Sequence, residues 1–352
     1  MIQYKPDILS AYDNYALDVR LCLPDTGTVQ KIVLFVNGSG PMTYKTKRQK
    51  PDGTFFYYFD IWAEEFTKRG IGFCSYSQRG VVDGDTPPFF SEIDDAEYKK
   101  YRPHNSVIDV ESIVSYLNAE YISAKIILLG WSEGTIIAPL VAERGNANVY
   151  ALMLAGYCNE NLKDTLIWQL SGNTTLIFLR RLFDYDKKGY ITRSDFDEDR
   201  YGARKNLGEL TFEKLDADSD DMITLSDVAQ IEKEHLLNLL NAIENDDDEW
   251  LKNNHDVRLT SAWFKEHFAL RPNKEVLPKL DLPIHIFSGE YDNMTPMQHA
   301  LDIDAEFNRL GKNNLTLHTF ENHDHDLNCV KYIVKNEFSE GFTAIFDTVD
   351  DI

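Results

Sequence analysis

Along this chain, short and almost unbroken apolar runs alternate with longer stretches of helical periodicity. The runs are Lys31–Val36, Gly72–Tyr76, Ile126–Leu129, Ala151–Ala155, Pro283–Ser288 and Leu315–Phe320. They show little polar alternation, which predicts strands buried on both faces, as in a largely parallel sheet. Between them, Ile61–Arg69, Ser106–Glu120, Thr135–Arg144 and Met297–Leu310 carry apolar residues at helical spacing. Alternation of this kind predicts an α/β fold, a doubly wound sheet with helices on both faces, whose working residues gather at the carboxyl ends of the strands. The alternation stops after Ala155 and resumes near Val276. The expected organisation is therefore a core in two parts, residues 1–156 and 275–352, split by an inserted, acidic, helical cap at 157–274.

The third run leads into Gly130-Trp131-Ser132-Glu133-Gly134 and then a helical pattern. A Gly-x-Ser-x-Gly segment between strand and helix puts its serine on a sharp turn. The glycines admit close approach of strand and helix, and the turn presents the hydroxyl above the sheet. Ser132 is thus the candidate nucleophile. A serine needs a base and an orienting acid, here expected in the order Ser, acid, His. Asp292, in a loop after an apolar run, is the candidate acid, with Glu290 as the fallback. Glu321-Asn322-His323-Asp324-His325-Asp326 follows the last run, and His325 is preferred there as base over His323. This His-Asp-His-Asp cluster could bind a metal, but without further ligands nearby a catalytic zinc is not expected. The bend Asn37-Gly38-Ser39-Gly40-Pro41 can present the Ser39 amide to an oxyanion, with the Glu133 amide as second donor. Because both would act through main-chain N–H groups, their side chains are expected to matter less.

Taken together, Asn37-Gly38-Ser39-Gly40-Pro41, Ser77-Gln78-Arg79-Gly80-Val81, Gly130-Trp131-Ser132-Glu133-Gly134 and Ile137-Ala138-Pro139 resemble bacterial α/β-hydrolase esterases of the dienelactone-hydrolase and dipeptidyl-peptidase-like branch. The resemblance covers residues 15–156 and 280–340. It implies an α/β-hydrolase fold and hydrolysis of a small acyl substrate, an ester or a related thioester or amide, with the family's closing histidine falling on His325. Asn37, Trp131 and Ser77-Gln78 stand where the family usually has His, His and an acid.

Inside the expected cap, Asp184–Asp195 and Asp216–Asp227 each fit a twelve-residue EF-hand loop, and the second begins 216 − 184 = 32 residues after the first. The expected ligand positions are Asp184, Asp186, Lys188, Tyr190, Thr192 and Asp195 in the first, and Asp216, Asp218, Asp220, Met222, Thr224 and Asp227 in the second. Tyr190 and Met222 would contribute carbonyls, and Lys188 has no side-chain oxygen to offer. Asp replaces the long Glu usual at the last position, and Asp221 replaces the turn glycine of the second loop. Weak Ca²⁺ or Mg²⁺ binding follows, better in the second loop than in the first. The acidic run Asp246–Glu249 lacks this spacing and reads as a solvated loop.

A formal charge of −22 disfavours nucleic acid and anionic membranes as partners. No secretory pattern opens the chain and no apolar run is long enough to span a membrane. Cys22, Cys74, Cys158 and Cys329 are far apart and read as reduced core residues, so a cytoplasmic protein is expected. A calcium-responsive binding module on a catalytically silent scaffold is the competing expectation.

Overall fold

The structure, a computed structural model, describes residues 3–5, 8–9, 13–25, 28–88 and 90–352. One eight-stranded sheet organises it: β1 (Gln3–Lys5), β2 (Val19–Leu23), β3 (Lys31–Val36), β4 (Gly72–Tyr76), β5 (Lys125–Trp131), β6 (Ala151–Ala155), β7 (Ile284–Gly289) and β8 (Leu315–Phe320). The strand order is β1-β2-β4-β3-β5-β6-β7-β8. The joins β1–β2 and β2–β4 are antiparallel and the rest parallel.

The apolar runs are continuous because successive side chains enter two different cores. Ile32, Leu34 and Val36 of β3, with Ile126 and Leu128 of β5, pack on one face. Beneath that face lie α2 (Pro103–Glu120) and α3 (Gly134–Arg144). Val33, Phe35, Ile127, Leu129 and Trp131 point the other way, onto α1 (Tyr58–Lys68) and the C-terminal helix Glu340–Asp351. Trp62 of α1, fully buried, stacks on Phe342 at 4.7 Å.

The sequence pattern did not reveal β2, because Arg20 interrupts its apolar run. Arg20 is buried there and its guanidinium reaches Asp60 of α1 at 2.5 Å. A charge is tolerable in a covered strand only with such a partner, and that partner is forty residues away.

Between β6 and β7 the chain builds α4 (Leu162–Trp168), α5 (Thr174–Phe183), α6 (Arg193–Glu198), α7 (Phe212–Leu215), α8 (Leu225–Glu244), α9 (Asp248–Asn254) and α10 (Ser261–Phe268). Two apolar clusters hold them. One joins Leu166, Leu239, Leu251, Trp263 and Phe264 to Tyr98 and Tyr101 of the sheet domain. The other, including Leu179, Phe183, Ile191, Phe196, Leu215 and Ile223, draws only on residues 176–228. The acidic run Asp246–Glu249 is largely solvent-exposed, as expected, but it is a turn that runs into a helix rather than a plain loop. Asp247 accepts the Trp250 amide at 2.9 Å and caps α9, while Asp248 accepts the Ser261 amide at 2.8 Å. The helix α11 (Met297–Leu310) then returns the chain to the sheet. Among the described residues no helix is long and apolar enough to cross a membrane.

Candidate active site

The loops at the carboxyl ends of β3, β5, β6, β7 and β8 converge on one point. At the end of β5, Ser132 takes a left-handed conformation with φ 54°, which a non-glycine residue adopts only when its surroundings impose it. Two close approaches impose it here. A Cβ at position 130 would sit 2.4 Å from the Gly134 oxygen, and one at position 134 would sit 2.1 Å from the Val36 oxygen. Only glycine fits at both, so strand, turn and α3 lock together. The Ser132 amide donates to the Ala155 carbonyl at 3.0 Å, fixing the turn to the end of β6.

Asp292, after β7, is 2 % exposed. Its Oδ1 accepts the amides of Met294 and Thr295 at 2.9 and 2.8 Å, and its Oδ2 accepts the Thr295 hydroxyl at 2.9 Å. His325, after β8, places Nδ1 2.9 and 3.0 Å from the two Asp292 oxygens. Burial pushes the imidazole's pKa down, but the Asp292 charge and hydrogen bond outweigh it and hold His325 up at about 9. With Nδ1 committed to Asp292, Nε2 is left for chemistry. His323 is elsewhere. It is buried, its Nδ1 pairs with the Glu321 carbonyl at 2.7 Å, and its Nε2 has no partner among the described residues. Glu290 pairs with Lys187 at 2.6 Å and does not reach a histidine. Thr295, which completes the Asp292 cradle, carried no signal in the sequence pattern.

Ser39 and Glu133 line the same cavity as Ser132 and His325. The bend at Ser39 is braced by Gln78, whose Nε2 donates to the Gly38 carbonyl at 3.0 Å and whose Oε1 accepts the Met42 amide at 2.8 Å. The next residue, Arg79, is buried and holds Asp109 through Nε and Nη2 at 2.7 and 2.6 Å. This stretch buttresses the bend at Ser39.

The side chain of Glu133 departs from expectation. It is 3 % exposed and accepts from the Tyr101 hydroxyl, from Trp263 Nε1 at 3.1 Å and from His267 Nε2 at 3.0 Å. Trp263 and His267 belong to α10. A buried carboxylate with three donors therefore ties the residue after Ser132 to the inserted segment. Sequence reasoning missed it because the partners lie 32, 130 and 134 positions away.

The shared cavity has a volume of about 490 Å³. Phe35, Trp131, Leu162, Leu166, Leu170 and Phe264 make most of its wall apolar. Arg48, whose guanidinium lies 4.4 Å from the Tyr58 ring centroid, also faces it. Among the described residues Ser132 Oγ makes no hydrogen bond.

The two acidic loops lie side by side, joined by an antiparallel bridge pairing Ile191 with Ile223 and Thr192 with Met222. In the second, oxygens of Asp216, Asp218 and Asp227 lie within 4.8 Å of one another. Partial desolvation, then the charges of Asp220, Asp227 and Asp216, raise the pKa of the exposed Asp218. Asp221 stands at φ 67°, as Gly189 does at φ 94° in the first loop, so the turn forms without glycine. In the first loop two of the carboxylates already face a cation. Lys188 Nζ lies 2.6 Å from Asp195 Oδ2, and Arg180 lies 3.2 Å from Asp184. Thr192 and Thr224 direct their hydroxyls to Asp195 and Asp227, each at 2.6 Å. Asp186, Tyr190, Asp220 and Met222 are not part of the three-carboxylate cluster.

No family model matches the chain, and no curated protein matches it. Solved structures do match its shape. A thermostable carboxyl esterase from Bacillus coagulans is 15% identical with a TM-score of 0.55, the match covering 100% of this chain and 98% of that one. The α/β hydrolase GrgF from a Penicillium species gives 12%, 0.51, 100% and 97%. Est1E from Butyrivibrio proteoclasticus, solved with ferulic acid, gives 12%, 0.52, 99% and 96%. At such identities the likeness establishes fold alone. The chain has the α/β-hydrolase fold.

Proposed function

We propose that this protein is a serine hydrolase that cleaves carboxylic esters of small, largely apolar molecules, and that its inserted segment binds calcium. The observation that carries the hydrolase reading is the Asp292–His325 pair, 2.9 Å apart, facing a cavity also lined by a serine in a strained left-handed turn. Ser132 Oγ attacks the acyl carbonyl while His325 Nε2 takes its proton. The oxyanion is met by the free amides of Ser39 and Glu133. The tetrahedral intermediate collapses, the C–O bond breaks, and the alcohol leaves with the proton from His325. Water then attacks the acyl-serine by the same route and releases the acid. The Ser132–His325 hydrogen bond closes when substrate fills the cavity, as such bonds often do on binding.

In the inserted segment, Asp216, Asp218 and Asp227 would hold one Ca²⁺, with Asp220 beside them. Their hard oxygen donors suit Ca²⁺ or Mg²⁺. The ion would relieve repulsion among the carboxylates and stabilise the paired loops. The free, buried Cys22, Cys74, Cys158 and Cys329 suit a reducing, cytoplasmic setting.

A fluorophosphonate probe tests the catalytic reading. It should label the wild type and fail on Ser132→Ala. Equal labelling of both, or of neither, removes Ser132 as nucleophile.

A further inference from the structure

The loop that carries His325 is held from outside the sheet. Arg181, near the end of α5, donates from Nη1 to Asp324 Oδ2 at 2.6 Å, and from Nη2 to the Asn322 carbonyl at 3.1 Å and to Asn328 Oδ1 at 2.5 Å. One guanidinium thus grips three points of the loop, including the residue immediately before His325. Inside the loop, Asp324 Oδ1 accepts the Asn328 amide at 2.8 Å, and Asn328 Nδ2 donates to the Asn322 carbonyl at 3.0 Å. Arg181 caps a closed ring of hydrogen bonds.

The loop needs such a clamp. Asn322, Leu327 and Asn328 stand at φ 57°, 47° and 59°. Left-handed residues, above all a leucine, persist only where the surroundings over-determine them. The rest of the inserted segment reinforces the grip. Lys187 Nζ donates to Glu290 Oε1 at 2.6 Å, and Glu290 Oε2 accepts the Asn322 amide at 3.1 Å. At the other end of α5 the Thr174 hydroxyl donates to the Asn293 carbonyl at 2.8 Å, one residue beyond Asp292. A single helix touches both the acid loop and the base loop.

From this we infer that Arg181 is a positioning residue for the catalytic imidazole: the inserted segment, through its guanidinium, sets where His325 stands. The inference rests on the reading of His325 as base, and concerns what holds it there. A planar five-donor fork suits this task, since it satisfies a carboxylate, an amide oxygen and a carbonyl at once, where an ammonium would serve only one or two.

The charges facing His325 are those of Asp292 across the pair and of Asp324 and Asp326 on its own loop, with Arg48 and Asp326 lining the same cavity. Removing Arg181 leaves Asp324 uncompensated beside the ring. Removing the Asp324 charge does the opposite.

The experiment compares intact wild type, Arg181→Met, Arg181→Lys and Asp324→Asn in hydrolysis of p-nitrophenyl butyrate and in fluorophosphonate labelling. Histidine NMR titration of His325, assigned with His325→Gln, runs alongside. Arg181→Met should lower kcat about tenfold to a hundredfold, the scale of an ångström's misplacement, with KM changed less than about twofold, and should move the acid limb of kcat/KM to higher pH. Arg181→Lys should recover part of the rate. Asp324→Asn should lower kcat as well but move the limb to lower pH, and it keeps the inference testable should Arg181→Met not fold. Wild-type kcat and an unmoved limb in Arg181→Met, or limbs unmoved in both charge variants, would overturn the inference. Failure of the wild type to label would instead overturn Ser132 as nucleophile, and the His325 titration would still decide the role of Arg181.

Discussion

His325 rests directly on Gly156: a Cβ at that position would lie 2.5 Å from the imidazole Cε1. The preceding residue, Ala155, accepts the Ser132 amide at 3.0 Å. The supports of Ser132 and His325 are thus consecutive residues at the end of β6. Gly156 also stands at φ 61°, where a side chain is strained whatever the space. Gly156→Ala should displace the ring and lower kcat by about a hundredfold while circular dichroism stays that of the folded protein. Retention of full activity would show that the ring does not need this seat.

The carboxylate of Glu133 should matter for stability as much as its amide does for chemistry. Glu133→Ala leaves Tyr101, Trp263 and His267 with buried donors and no acceptor. Each orphaned buried donor costs about 1–3 kcal/mol, so the loss should be several kcal/mol, read as a lower urea midpoint. A midpoint within experimental error of wild type would mean that α10 docks without this node.

Hydrolysis should depend on pH through His325. The base must be neutral, and Asp292 holds its pKa at about 9, so kcat/KM should rise with pH and level off above 9. Asp292→Asn should move this limb down and slow kcat, on the order of 10⁴-fold for a triad acid. An activity already level at pH 7 would contradict the pairing.

The same pair has a signature in stability. A folded-state pKa raised above the ordinary 6.5 adds stability that is complete below 6.5 and is lost as pH rises through 9. The size is about 3 kcal/mol. Denaturant unfolding across this window should show the decline in wild type and not in Asp292→Asn.

Calcium should bind at one loop of the two. Calorimetry on the intact chain should give a single site, in the weak range of about 10⁻⁴–10⁻³ M, that vanishes in Asp216→Ala. Lys188→Asp removes the ammonium from Asp195 and supplies an oxygen at the fifth position, so a second site should appear. Two sites in the wild type would show that Lys188 does not block the first loop.

Much of this protein was written locally. Five strands of the sheet follow from nearly unbroken apolar runs, because a strand covered on both faces has no polar side to show, and the sixth, β8, is a partly exposed edge strand whose apolar and polar residues alternate. The turn at Ser132 follows from glycines two positions either side, and the bridge between the acidic loops from an isoleucine at the same place in each. Such features depend on neighbours a few residues apart, so periodicity and spacing report them. What tertiary structure alone decided lies in contacts across the chain. It brought His325, not His323, to Asp292, and made a strand of a run broken by Arg20. It also turned the Glu133 side chain into an anchor for α10, set Lys188 against Asp195, and placed Arg181 on the histidine loop. In each case a polar or charged group becomes tolerable, or useful, only once folding supplies a partner of opposite character, and which partner that is depends on the path of the whole backbone.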